Sequence, residues 1–175
     1  MIPDLGGKVA IVTGAGQGIG YSIGARLAAL GARVVVAEIN ADTAQQAAAD
    51  FSKTGAETLA YPIDIGDTDA VQRMVSDVVV RFGRIDILVN NAGVSEKASL
   101  FELTLERWDW LHRVNQRGLF FCLQSVAKQM IAQIPDEVKR AGAPSAVMAR
   151  SSTCRPSQGA RVGRTRCTIR SPKRR

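Results

Sequence analysis

The 175 residues carry 23 Lys and Arg against 16 Asp and Glu, a net charge of +7, yet nine of those cations and none of the acids lie in residues 150–175. Residues 1–149 are left with 14 basic and 16 acidic groups, a net of −2, so the cationic balance describes a tail and excludes a basic domain. Three cysteines without CxxC spacing and a single histidine, His112, exclude a zinc centre, and no stretch reaches the roughly 18 apolar residues that span a bilayer.

The N-terminus shows no charged segment followed by an apolar run, and the expected setting is the reducing cytoplasm. In chain order, KVAIVTG at 8–14 is a continuous β-branched run ending in glycine, which predicts a strand buried on both faces. IGYSIGARLAALG at 19–31 predicts an amphipathic helix, with Ile19, Ile23, Leu27 and Leu30 at helical spacing and Gly31 as its stop. ARVVVAEI predicts a strand, ADTAQQAAADFSKTG a helix ended by Gly55, and AETLAYPIDI a third strand. DTDAVQRMVSDVVVRFG predicts a helix capped by Asp67, and RIDILVNNAG a fourth strand. A long helical pattern then runs from about Thr104 to Gln133. Along it, Cys122 reads as a small core residue and His112 as a surface or satisfied histidine. Trp108 and Trp110 are too close to share one helical stripe, so at least one is expected at a partly exposed contact. Strand and helix alternating at this cadence predict an α/β fold with a parallel sheet and helices on both faces.

The first strand runs into TGAGQGIG at 13–20, where Gly14, Gly16, Gly18 and Gly20 make a glycine-rich turn. Such a turn lets backbone N–H groups and the following helix N-terminus approach a pyrophosphate. Taken alone, it could equally be a strand-to-helix turn with no ligand. Glu38 ends the second strand eighteen residues after Gly20, where a carboxylate can accept from the adenosine ribose hydroxyls and repel a 2′-phosphate. The bland alternative is a solvated strand-end acid. Gln17 stands where a cation could welcome that phosphate, and Ile39 follows the acid, so NAD is favoured over NADP.

The pattern resembles the short-chain dehydrogenase/reductase family over about residues 5–133. TGAGQGIG is similar to its cofactor loop, which assigns Gly14, Gly16, Gln17, Gly18, Ile19 and Gly20 to the cofactor. Asp64 in PIDI, with Ile65, resembles the acid after the third strand that contacts adenine, and NNAG resembles the signature in which Asn90, Ala92 and Gly93 line the cofactor. Asn115 in RVNQRGLFF resembles the catalytic asparagine, whose helix kink holds a water of the proton relay. The resemblance implies a Rossmann-type three-layer αβα domain over 1–148, incomplete after the fourth strand and the long helix. It also implies hydride transfer between a nicotinamide and a small secondary alcohol or ketone, and a homo-oligomer for the intact protein.

The resemblance fails at one place. The family's acid/base chemistry needs Tyr-x-x-x-Lys and a Ser about thirteen residues before that Tyr. Here the only tyrosines are Tyr21 and Tyr61, followed four residues later by Ala25 and Ile65. Codons for the segment from Met148, read from each third base, permit GKIVNMSS and then HYSxxKAA, with Tyr and Lys four apart and the second Ser thirteen positions before the Tyr. The basic tail at 149–175 is therefore read as out-of-frame translation of a dehydrogenase gene, disordered, with the break between about Gln133 and Met148. Two other readings compete: a non-catalytic NAD-binding module, and nucleic-acid binding through the tail. The second is disfavoured because the tail has no aromatic to stack on bases.

Overall fold

Val9–Thr13 (β1) has every residue buried, as its β-branched run requires, and it forms the centre of the sheet. The computed structural model describes residues 4–137. After β1 come α1 (Gly18–Ala29), β2 (Arg33–Glu38), α2 (Ala41–Ser52), β3 (Thr58–Pro62), α3 (Thr68–Phe82) and β4 (Ile87–Val89). The four strands are parallel in the order β3-β2-β1-β4, with Val9 opposite Arg33, Val34 opposite Thr58 and Ala10 opposite Ile87. Among the described residues β4 pairs with β1 alone. The third and fourth strands are shorter than their sequence runs suggest, because the chain leaves the ladder at Pro62 and Val89 to form loops.

Strand alternation sorts the core into two layers. Val9, Ile11, Val35 and Ala37 face α3 and the last helix, where Val71, Met74, Val78, Cys122 and Val126 cover them. Val12, Val34 and Val36 face α1 and α2, where Ala28, Ala44, Ala47 and Phe51 cover them. This is the Rossmann-type αβα arrangement that the sequence predicts.

Two elements depart from expectation. In α1 the buried residues are Gly20, Gly24 and Ala28, whereas Ile19 is 58% exposed and Ile23 and Leu27 are only partly covered. Small residues win the inner face because α1 lies close against its neighbours: a Cβ on Gly24 would stand 2.6 Å from the Phe51 ring. The long helix is not continuous either. It divides into α4 (Leu105–His112), a π-helical segment (Arg113–Gly118) and α5 (Leu119–Ala132). Gln133 then closes the layer, its side-chain amide bonding both backbone groups of Ile85. The 149–175 tail and most of the interval assigned to the frame break lie outside the described residues.

Candidate functional site

All four strands end on the same side, and the loops leaving them gather the predicted site residues. Gly14 (φ 64°) and Gly18 (φ 60°) occupy the left-handed region, which only glycine adopts freely. Gly20 is required by space, since a Cβ there would come within 2.1 Å of the Gly14 carbonyl oxygen.

Thr13 and Asn91 hold this turn against β4. The buried Thr13 hydroxyl accepts from the backbone N–H of Asn91 and of Ala92, both at 3.0 Å. The Asn91 side-chain amide donates to the Thr13 and Gly14 carbonyls at 3.1 Å. Neither residue was marked by sequence reasoning as functional. Their partners in these bonds are 77 to 79 residues away, and no local pattern announces the pairing. Asn90 is 5% exposed, and its Oδ1 has no hydrogen-bond partner among the described residues.

The N-terminus of α1 differs from those of α2, α3 and α4. Asn40, Asp67 and Thr104 each accept backbone N–H bonds at the starts of α2, α3 and α4, and each of those first turns contains an acid. Gln17 makes no side-chain cap for α1, and its first turn has no acid. The leading N–H groups and the positive end of the helix dipole are thus left open beside the glycine turn.

Glu38 flanks that turn, and Asp64 stands in the loop after β3. Glu38 Oε2 accepts from Gly16 N–H at 3.1 Å and Oε1 from Ile39 N–H at 2.9 Å, so the acid leans over the turn rather than into bulk solvent. Asp64 accepts from Gly66 N–H at 2.8 Å and pairs with Arg113 at 2.9 Å. Ile65, next to it, is buried in the core.

Asn115 lies inside the π-helical segment. Its Oδ1 accepts from Val94 N–H and its Nδ2 donates to the Val94 carbonyl, both at 2.8 Å. This amide pair fixes the chain immediately after Gly93. Wider i→i+5 turns of this kind release helix carbonyls from their usual partners.

Tyr21, Tyr61, His112 and Cys122 sit in structural settings. The Tyr21 hydroxyl donates to Asp50, and that of Tyr61 donates to Asp77 at 2.6 Å. Burial and the Asp77 bond push the Tyr61 phenol up to about 12. His112 stacks on Trp108 and bonds its carbonyl at 2.8 Å. Cys122 is fully buried, which pushes its thiol up to about 12. Trp108 and Trp110 are both partly exposed, at 49% and 37%.

A family model described as short chain dehydrogenase matches residues 8–141. The chain belongs to that family. D-threitol dehydrogenase of Mycolicibacterium smegmatis is 41% identical over 127 residues, covering 73% of this chain and 49% of that protein. Sorbitol dehydrogenase of Cereibacter sphaeroides is 39% identical over 128 residues, with 73% and 49% covered. The crystal structure of an NAD+-bound xylitol dehydrogenase superposes with a TM-score of 0.71 at 35% identity, over 74% of this chain and 50% of that one. A Burkholderia cenocepacia short chain dehydrogenase in complex with NADP gives 0.69 at 41% identity, over 72% and 52%. The chain spans about half the length of the relatives it matches. Among its described residues no helix is long and apolar enough to cross a membrane.

Proposed function

We propose that the described residues form the dinucleotide-binding part of an NAD(P)-dependent oxidoreductase acting between a small secondary alcohol and its ketone, with NAD preferred over NADP. The observation that carries this reading is the open N-terminus of α1 behind a glycine-rich turn, with Glu38 bonded to Gly16 at its flank. In this reading Gly14, Gly16, Gln17, Gly18, Ile19 and Gly20 receive the pyrophosphate on backbone N–H groups. Glu38 accepts from the ribose hydroxyls, Asp64 and Ile65 border the adenine, and Asn90, Ala92 and Gly93 line the floor. Asn115 fixes the loop at Val94 and so sets the wall beside the reacting end. A bound nicotinamide would supply the hydride acceptor. The names of the threitol and sorbitol relatives support an alcohol as substrate.

Proton transfer is the step this chain lacks. Its 175 residues contain no Tyr-x-x-x-Lys, and both tyrosines are held by carboxylates of the helical layers. We infer that the chain binds the dinucleotide without turning over an alcohol, which makes a non-catalytic binding module the second reading. That the family match stops at residue 141 supports reading 149–175 as out of frame, and resequencing the gene tests this directly.

Calorimetry with NAD and NADP on the 175-residue chain tests the main reading. NAD should bind roughly tenfold or more tightly than NADP, because a 2′-phosphate would meet the Glu38 carboxylate at close range. Glu38→Arg should narrow or reverse the preference. Tighter binding of NADP to the unmodified chain would overturn the role given to Glu38, and absence of binding to either would overturn the site.

A further inference from the structure

Arg113 opens the π-helical segment and reaches the loop after β3. Its Nη2 lies 2.9 Å from Asp64 Oδ2, while the other Asp64 oxygen accepts from Gly66 N–H at 2.8 Å. The carboxylate is therefore held from two sides, by the Gly66 hydrogen bond on one oxygen and by the Arg113 charge on the other. The approach depends on an absent side chain, because a Cβ on Gly66 would stand 3.0 Å from Arg113 Nη1 and 3.1 Å from Cζ. The far end of the same segment packs as closely: a Cβ on Gly118 would fall 2.6 Å from the Ile65 carbonyl oxygen. The loop at 64–66 thus rests on both ends of the segment that carries Asn115.

The pair is not a large source of stability. The Arg113 and Asp64 side chains are 37% and 31% exposed, and ion pairs in that much water contribute little. What the contact does is restrict the carboxylate. An ionised Asp offers about four acceptor positions and no donor. With Gly66 N–H bonded to one oxygen and the Arg113 charge drawn against the other, the carboxylate keeps acceptor positions but loses freedom to rotate. A free carboxylate can swing away from an incoming carbonyl, and a clamped one cannot.

We propose that Arg113 is a positioning residue that sets base selectivity at the adenosine end, by clamping Asp64 as a fixed acceptor for the exocyclic amine of adenine. This rests on the dinucleotide-site reading above. A base carrying a carbonyl in place of that amine meets the fixed carboxylate with like partial charge and is rejected.

The test uses the full chain with NAD and its hypoxanthine analogue, in which a carbonyl replaces the amine. The unmodified chain should bind NAD about tenfold or more tightly than the analogue, the scale of one hydrogen bond to a charged group. In Arg113→Gln that ratio should fall to about threefold or less, through weaker NAD binding. Arg113→Met, which keeps an unbranched aliphatic side chain and removes the guanidinium with its charge, should behave alike and serves if the Gln variant does not fold. Arg113→Lys should recover part of the ratio. A merely structural role would weaken both dinucleotides together and leave the ratio unchanged. A ratio in the Gln or Met variant equal to that of the unmodified chain overturns the proposal, whatever the absolute affinities. Binding of neither dinucleotide by the unmodified chain overturns the site reading itself, and the role of Arg113 with it.

Discussion

Gly24 and Phe51 show how much a single missing methyl decides. Phe51 is 1% exposed, and a Cβ on Gly24 would meet two of its ring carbons at 2.6 and 2.9 Å. The ring is held among α2 and sheet residues and lies 5.0 Å from the Tyr21 ring, so it has little room to yield. Gly24→Ala gains helix propensity of nearly 1 kcal/mol but forces this ring to move, and overpacking typically costs about 1–3 kcal/mol. The expected net result is destabilisation of up to about 2 kcal/mol, read from urea unfolding; a more stable variant would show that the ring relocates freely. At this scale, what the sequence discloses depends on where the partner lies. The glycines of 13–20 and Glu38 stand out because their chemistry is local to a strand end. Thr13, Asn91 and Arg113 do not, because each acquires its role from a residue on another element.

The π-helical segment argues the same point for elements. Apolar spacing gives a helix from Thr104 to Gln133 and carries no sign of the wider turn inside it; only the family resemblance at Asn115 pointed to a kink there. The turn is held by the Asn115–Val94 amide pair and by Gly118 against Ile65. Asn115→Ala should therefore raise hydrogen exchange at the Val94 amide, with a modest loss of stability of about 1 kcal/mol per bond removed. Unchanged protection at Val94 would show that other contacts hold the loop. In α1 the reverse holds. The helix was legible, but its apolar stripe named the wrong face, because periodicity reports which residues are alike and not which face must fit a tight space. The strands posed no such problem, since a continuous β-branched run reads the same from either side.

For the whole molecule, large apolar side chains are exposed on several elements. Helix α4 has no buried residue, and it presents Leu105 at 70% and Trp108 at 49% exposure. Ile19 on α1 adds to this, and β4 has one unpaired side among the described residues. Surfaces of this kind on a soluble domain mark contacts with other protein. The 175-residue chain should therefore self-associate with rising concentration in sedimentation velocity. The double variant Leu105→Glu, Trp108→Glu should shift it toward monomer without loss of helical signal. A chain that stays monomeric at high concentration would show that these surfaces need no cover.

The clamp between Thr13 and Asn91 also carries a consequence in time. β1, β2 and β3 join through successive neighbours in the chain, whereas Asn91 reaches Thr13 across 78 residues. Contacts that close long loops form late, because the entropy of closure is spent before the contact returns anything. The three-residue β4 should accordingly dock after the other strands have assembled, and the glycine turn reaches its final shape only then. In stopped-flow experiments Leu88→Ala should chiefly speed unfolding, while Val35→Ala should chiefly slow folding. Equal effects of both on the folding rate would place β4 in the nucleus instead. With β4 last, capacity to bind the dinucleotide is itself a clock for the final step: a nascent chain acquires its ligand only once its most distant strands have met.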